Sequence, residues 1–140
     1  MEARVDWTEN LKFVGSGDGP ATVTVIGGAS DNERVDGFSP LNLLLIGLAG
    51  CTASDVISIL RKKRQRVTRF EVYARARQAE DHPRVFTHIQ LVYRVEGHAV
   101  EQSAVERSIE LSESKYCPAI GMLGKVVAIE HSIEITESSS

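Results

Sequence analysis

The chain opens in period two. Val5 and Trp7, then Leu11 and Phe13, then Val23 and Val25 carry the apolar phase, separated by Glu9-Asn10 and by the turn-rich Gly15-Ser16-Gly17-Asp18-Gly19-Pro20. Strand side chains alternate between two faces, so this pattern predicts three short strands joined by hairpins. Gly27 to Ser39 is poor in large apolar groups and predicts a long loop. Ser39-Pro40 then signals a helix start, because serine caps a free amide and proline gives up an N–H that would have no partner there. The predicted helix runs from about Pro40 to about Gln65. Its first half (Leu41, Leu43, Leu44, Leu45, Ile46, Leu48, Ala49) is apolar on every side, so this helix should be buried all round, through the middle of the protein.

Two alternating segments follow, Phe70-Val72-Ala74-Ala76 and Val85-Thr87-Ile89-Leu91-Tyr93-Val95, with Glu80-Asp81-His82-Pro83 between them, which predicts a long hairpin. Ala104, Val105, Ile109 and Ser112 form a helical stripe between Val100 and Ser114. Pro118 opens a short apolar helical turn through Ile120, Met122 and Leu123, and Val127, Ile129, His131, Ile133 and Ile135 make a last strand. The order is β-β-β-α-β-β-α-α-β, an α+β chain whose 140 residues fit a single domain, 1–140. One small sheet covers only one side of a helix. A second copy over Leu43 to Leu48 is the simplest cover for the rest, and predicts an obligate homodimer.

Composition narrows the function. With 42% hydrophobic and 25% charged residues the chain should be globular rather than disordered. Its net charge of −3 argues against nucleic acid as a partner, and Arg61-Lys62-Lys63-Arg64-Gln65-Arg66 reads first as cations complementing the helix dipole, with a nucleic-acid patch as the remote alternative. The apolar run from Leu41 to Leu60 is interrupted by Asn42, Ser54, Asp55 and Ser58, so we expect a buried soluble helix and no membrane partner. Two cysteines, and no basic-then-apolar leader after Met1, point to a reducing cytoplasm. His82, His88, His98 and His131 lack metal-ligand spacing, and Gly15 to Gly19 lacks the strand–loop–helix setting of a phosphate loop, so neither metal nor cofactor is expected.

The cysteines are the candidate chemistry. Cys51 shares a helix face with Gly47, Ser54, Asp55 and Ser58. It reads either as a small buried hydrophobe on a stripe that lets another backbone cross closely, or as a reactive thiol. Cys117 precedes a helix-opening proline and follows Lys115, a setting that lowers a thiol pKa if the group is accessible and makes an inert cap if it is not. The 66 residues between them exclude a local CxxC motif, so only the fold can bring the thiols together.

Phe38-Ser39-Pro40-Leu41-Asn42-Leu43-Leu44-Leu45, running into Gly50-Cys51-Thr52 and Asp55-Val56-Ile57-Ser58-Ile59-Leu60, resembles the central helix of the OsmC/Ohr family, and Ser114-Lys115-Tyr116-Cys117-Pro118 resembles its second-cysteine segment. The most similar branch is the YhfA-like one. The resemblance implies an OsmC-like fold and an intertwined homodimer with a long buried central helix and active sites at the subunit interface. It also implies a thiol-dependent peroxidase: Cys51 attacks an organic hydroperoxide and becomes a sulfenic acid, Cys117 resolves it to a disulfide, and an external dithiol resets the pair. One departure stands out. The family's peroxidases carry a glutamate shortly after the helix-opening proline, steadied by an arginine from the N-terminal strands, whereas this chain reads Pro40-Leu41-Asn42, with only Arg4 and Arg34 as loose arginine candidates. The alternative is therefore a non-enzymatic protein that binds a small apolar molecule without that activating pair.

Overall fold

The computed structural model describes residues 1–28 and 36–139, in two compact units, Met1–Leu44 and Leu45–Ser140. In the first unit β1 (Arg4–Glu9), β2 (Lys12–Ser16) and β3 (Thr22–Ile26) form an antiparallel sheet in chain order. The β1–β2 turn places Asn10 at φ 45°, a left-handed position that asparagine tolerates. Of the predicted loop, residues 29–35 lie outside the described residues. Its returning end is tied to β3, with the Ile26 amide donating to Phe38 O at 2.9 Å and the Phe38 amide to Thr24 O at 3.0 Å. A Cβ on Gly37 would stand 2.7 Å from Thr24 O, so this close approach requires glycine.

Helix α1 (Pro40–Lys62) begins where the sequence predicts. The Asn42 amide donates to Ser39 Oγ at 3.1 Å, and that hydroxyl donates to Asn42 Oδ1 at 2.9 Å. The helix stops at Lys62 rather than near Gln65 because Arg64 turns left-handed at φ 59°. The Arg64 amide then donates to Arg61 O and the Gln65 amide to Leu60 O, both at 3.0 Å, which closes a Schellman motif and satisfies carbonyls of the last turn.

In a single chain α1 is not buried all round. It buries Leu48, Thr52, Val56 and Leu60, one stripe with a spacing of four, while Leu44 and Ile46 remain 51% and 50% exposed. The reason is geometric: the chain supplies cover for one side only. By length and composition alone α1 could cross a bilayer. Its inner stripe is nonetheless tied into the second unit, through a hydrogen bond between Thr52 and Tyr93.

The second unit holds β4 (Arg66–Gln78), β5 (Phe86–His98) and β6 (Ala128–Glu137), with β5 central, antiparallel to β4 and parallel to β6. A parallel pair needs a crossover, and α2 (Gln102–Leu111), a π-helical turn (Ser112–Tyr116) and α3 (Pro118–Leu123) supply it. Central β5 buries Ile89, Leu91, Val92, Tyr93 and Val95, and α2 buries Ala104, Val105, Ser108 and Ile109. The element order is the predicted one, an α+β OsmC-like topology. The π-helical turn is an addition, since the apolar stripe of α2 gives no sign that the last turn widens. It brings the Cys117 amide to 2.8 Å from Ser112 O.

Candidate active site

Both candidate thiols belong to the second unit, and both are free. Cys51 is half-buried in the middle of α1, and Cys117 is buried at the N-cap of α3, where its sulfur accepts from the Ile120 amide at 3.4 Å. The fold brings the two side chains within hydrogen-bonding reach of each other. Two cysteines 66 residues apart thus form one site, because β5 and the crossover carry the second back to α1.

The lowered pKa considered for Cys117 is corrected by the structure. Burial and the hydrogen bond with Cys51 push this thiol up to about 11, against the opposing pull of the Ile120 and Ala119 amides. The cap geometry is as the sequence suggests, but desolvation outweighs it. Lys115 lends no counter-charge to the thiol; its ammonium stands 5.2 Å over the neighbouring Tyr116 ring.

The polar stripe around Cys51 is also rearranged. Ser54 is exposed and donates to Gly50 O at 2.8 Å, and Ser58 is exposed. Asp55 accepts from the Ser112 hydroxyl at 2.9 Å. Gly47 and Gly50 have open space where a Cβ would stand, so no backbone of the same chain crosses them. The buried stripe is one residue over and carries Thr52, whose hydroxyl lies 2.9 Å from Tyr93 OH and 2.8 Å from Ser112 Oγ.

Tyr93 continues this network by donating to Glu113 Oε1 at 3.3 Å, and His131 Nδ1 lies 3.1 Å from Glu113 Oε2. The His131 ring meets the Tyr93 ring edge-on at 5.9 Å. Burial holds the Tyr93 hydroxyl well above the ordinary tyrosine range. Neither Tyr93 nor His131 stood among the candidate residues, yet each had a signal: a polar group on the apolar phase of its strand, Tyr93 among Leu91 and Val95, His131 among Ile129 and Ile133. Thr52, on the inner stripe of α1, had the same one.

The departing positions are accounted for in part. Asn42 uses its side chain to cap α1 with Ser39, and Arg4 pairs with Asp6 at 3.1 Å. Arg34 lies outside the described residues. Among the described residues no group of three or more His, Cys, Asp or Glu could hold a metal ion.

A family model described as OsmC-like protein matches residues 30–132. The chain is 40% identical over 135 residues to the protein YhfA of Escherichia coli strain K12, spanning 96% of this chain and 98% of that protein. It is similar to the crystal structure of a hypothetical protein from Aquifex aeolicus VF5, with 25% identity, a TM-score of 0.87, and 99% and 97% of the two chains covered. It shares its fold with the organic hydroperoxide resistance protein OhrB of Bacillus subtilis, at 13% identity and a TM-score of 0.65 over 96% and 98% of the chains. On the family match and the YhfA identity together, the chain belongs to the OsmC-like protein family.

Proposed function

We propose that the chain is a cytoplasmic thiol-dependent peroxidase that reduces organic hydroperoxides. The observation that carries this reading is the meeting of Cys51 and Cys117 within hydrogen-bonding reach. Cys51, the more accessible thiol, attacks the hydroperoxide O–O bond, becomes a sulfenic acid and releases an alcohol. Buried Cys117 then attacks the Cys51 sulfur, the S–O bond breaks, water leaves, and an external dithiol reduces the disulfide. The shared fold of OhrB, named for organic hydroperoxide resistance, is in keeping with this.

The working unit in this reading is a homodimer of single-domain chains, 1–140, with α1 completed as a long buried central helix by its counterpart. Exposed Leu44 and Ile46 and the open space over Gly47 and Gly50 support it. Small residues on a helix face let a second helix approach closely.

A second reading has its own support. The arginine ion pairs among the described residues are Arg4–Asp6, Arg94 with Glu71 and Glu134, and Arg107–Glu110, and none includes a residue of α1. A chain without the activating pair suits a non-enzymatic binder of small apolar molecules.

Free thiols counted before and after a small stoichiometric excess of cumene hydroperoxide, with the linkage mapped by mass spectrometry, separate the two. The peroxidase reading expects loss of both thiols into a Cys51–Cys117 disulfide, no peroxide consumption by Cys51→Ser, and a single-turnover sulfenic acid in Cys117→Ser. Two thiols still titratable in folded protein would overturn it. The binding reading then expects thermal stabilisation by apolar ligands that survives removal of both thiols.

A further inference from the structure

The buried polar groups beside the thiols form one unbroken chain of oxygens. Asp55 Oδ2 meets Ser112 Oγ at 2.9 Å, Ser112 Oγ meets Thr52 Oγ1 at 2.8 Å, Thr52 Oγ1 meets Tyr93 OH at 2.9 Å, and Tyr93 OH meets Glu113 Oε1 at 3.3 Å. Thr52, Tyr93 and Ser112 are fully buried. Three hydroxyls bring three protons to these four contacts, and a carboxylate brings none. One contact is therefore always without a proton between its oxygens. Such a vacancy is costly in a structural network, where every buried polar group should be satisfied. Ser108, also fully buried, shows the ordinary solution, donating to Ala104 O of its own helix at 2.7 Å.

The chain runs past both cysteines. Thr52 follows Cys51 directly, and Asp55 lies one helical turn beyond Cys51, on the same face, with its side chain inclined back towards it. Ser112 O holds the Cys117 amide at 2.8 Å, and the charge of Cys117 is felt at Tyr93. Cys117 itself is a thiol that keeps its proton at neutral pH. A thiolate is the nucleophile, so that proton must leave as the disulfide forms.

The geometry points to a proton path: the Ser112–Thr52–Tyr93 hydroxyls, strung between Asp55 and Glu113, take the proton that Cys117 gives up as it attacks Cys51. This rests on the two-thiol reading above. In the peroxidase cycle the S–S bond forms and the S–O bond of the Cys51 sulfenic acid breaks. The Cys117 proton enters the path, the hydroxyls reverse in turn, and one proton passes from the path to the departing hydroxide, giving water. Hydroxyl protons are conserved. The titratable groups facing the path are Asp55 of α1, Tyr93 of β5, Glu113 of the π-helical turn, His131 of β6 and the two thiols. The hydroxyls are positioning residues, acting through the thiols.

The test needs no hydroperoxide. Reduced protein treated with 5,5′-dithiobis(2-nitrobenzoate) forms a mixed disulfide at Cys51 and releases one thionitrobenzoate. Attack by Cys117 forms the protein disulfide and releases a second, a leaving group that needs no proton, so this second phase reports the proton loss of Cys117. Thr52→Val and Tyr93→Phe should slow that phase at pH 7 by about tenfold or more and make its rate climb steeply with pH. Thr52→Ser should restore both the rate and the shallow profile of the parent. Both variants keeping the parent's rate and profile would overturn the path while leaving the cysteine pair intact. A parent that releases one equivalent and stops would overturn the pair and the path together. Circular dichroism checks folding, and Tyr93→Phe decides if Thr52→Val does not fold.

Discussion

Cys117 sits where two rules of physical chemistry disagree. The amides at the start of α3 favour a thiolate, while a nearly complete loss of water favours the thiol, and the loss of water wins. The outcome sets a pH dependence. The folded chain keeps the Cys117 proton to about pH 11, whereas an unfolded thiol releases it near its ordinary value of 9.0. Above pH 9 the unfolded state binds fewer protons than the folded one, so stability is fully present below that pH and falls between about pH 9 and 11, by roughly 2 kcal/mol. Urea denaturation of reduced protein at pH 8 and at pH 10.5 should show this loss, and Cys117→Ala should lack that portion of it. The sequence marked Cys51 and Cys117 as candidates by their helix context. It left Thr52, Tyr93, Ser112, Glu113 and His131 unassembled, because they come from five separate elements and a network has no signature along a chain.

At the scale of the element, α1 shows how local chemistry sets both ends of a helix. Ser39 and Asn42 cap its start reciprocally, in the manner of a capping box. Removing the hydroxyl with Ser39→Ala should lower stability by about 1 kcal/mol in chemical denaturation, while Ser39→Asp should keep most of it. The helix start was legible because Ser-Pro is a local signal. Its end was legible only to within a turn, because Arg64 does at C′ what glycine usually does and carries no warning in its side chain. The π-helical turn was hidden for a related reason. A widened turn is chosen by where its ends must pack, here bringing Ser112 to Thr52 and Asp55, rather than by the composition of Ser112–Tyr116.

At the scale of the molecule, the two faces of α1 have different fates. Leu48, Thr52, Val56 and Leu60 are covered within the chain, while Leu44 and Ile46 are half exposed and Gly47 and Gly50 meet nothing. A large side chain at Gly50 therefore disturbs nothing inside one chain and removes a helix-weakening glycine, a change worth nearly 1 kcal/mol of helix propensity. On the homodimer reading, Gly50→Leu should keep its helical circular dichroism and shift the mass in light scattering from two chains towards one. A variant that remains dimeric would place the contact elsewhere on the surface.

Read without any fold, the residues specify the α+β element order, the start of α1, the inner phase of β5 and β6, and the two thiols worth watching, because each depends on neighbours within a few positions along the chain. The tertiary structure alone decides that Cys51 and Cys117 meet, that burial raises one thiol against its helix cap, and that five polar residues close into one chain of oxygens beside them. These depend on desolvation and on contacts across 20 to 66 residues of sequence, quantities that no local pattern carries.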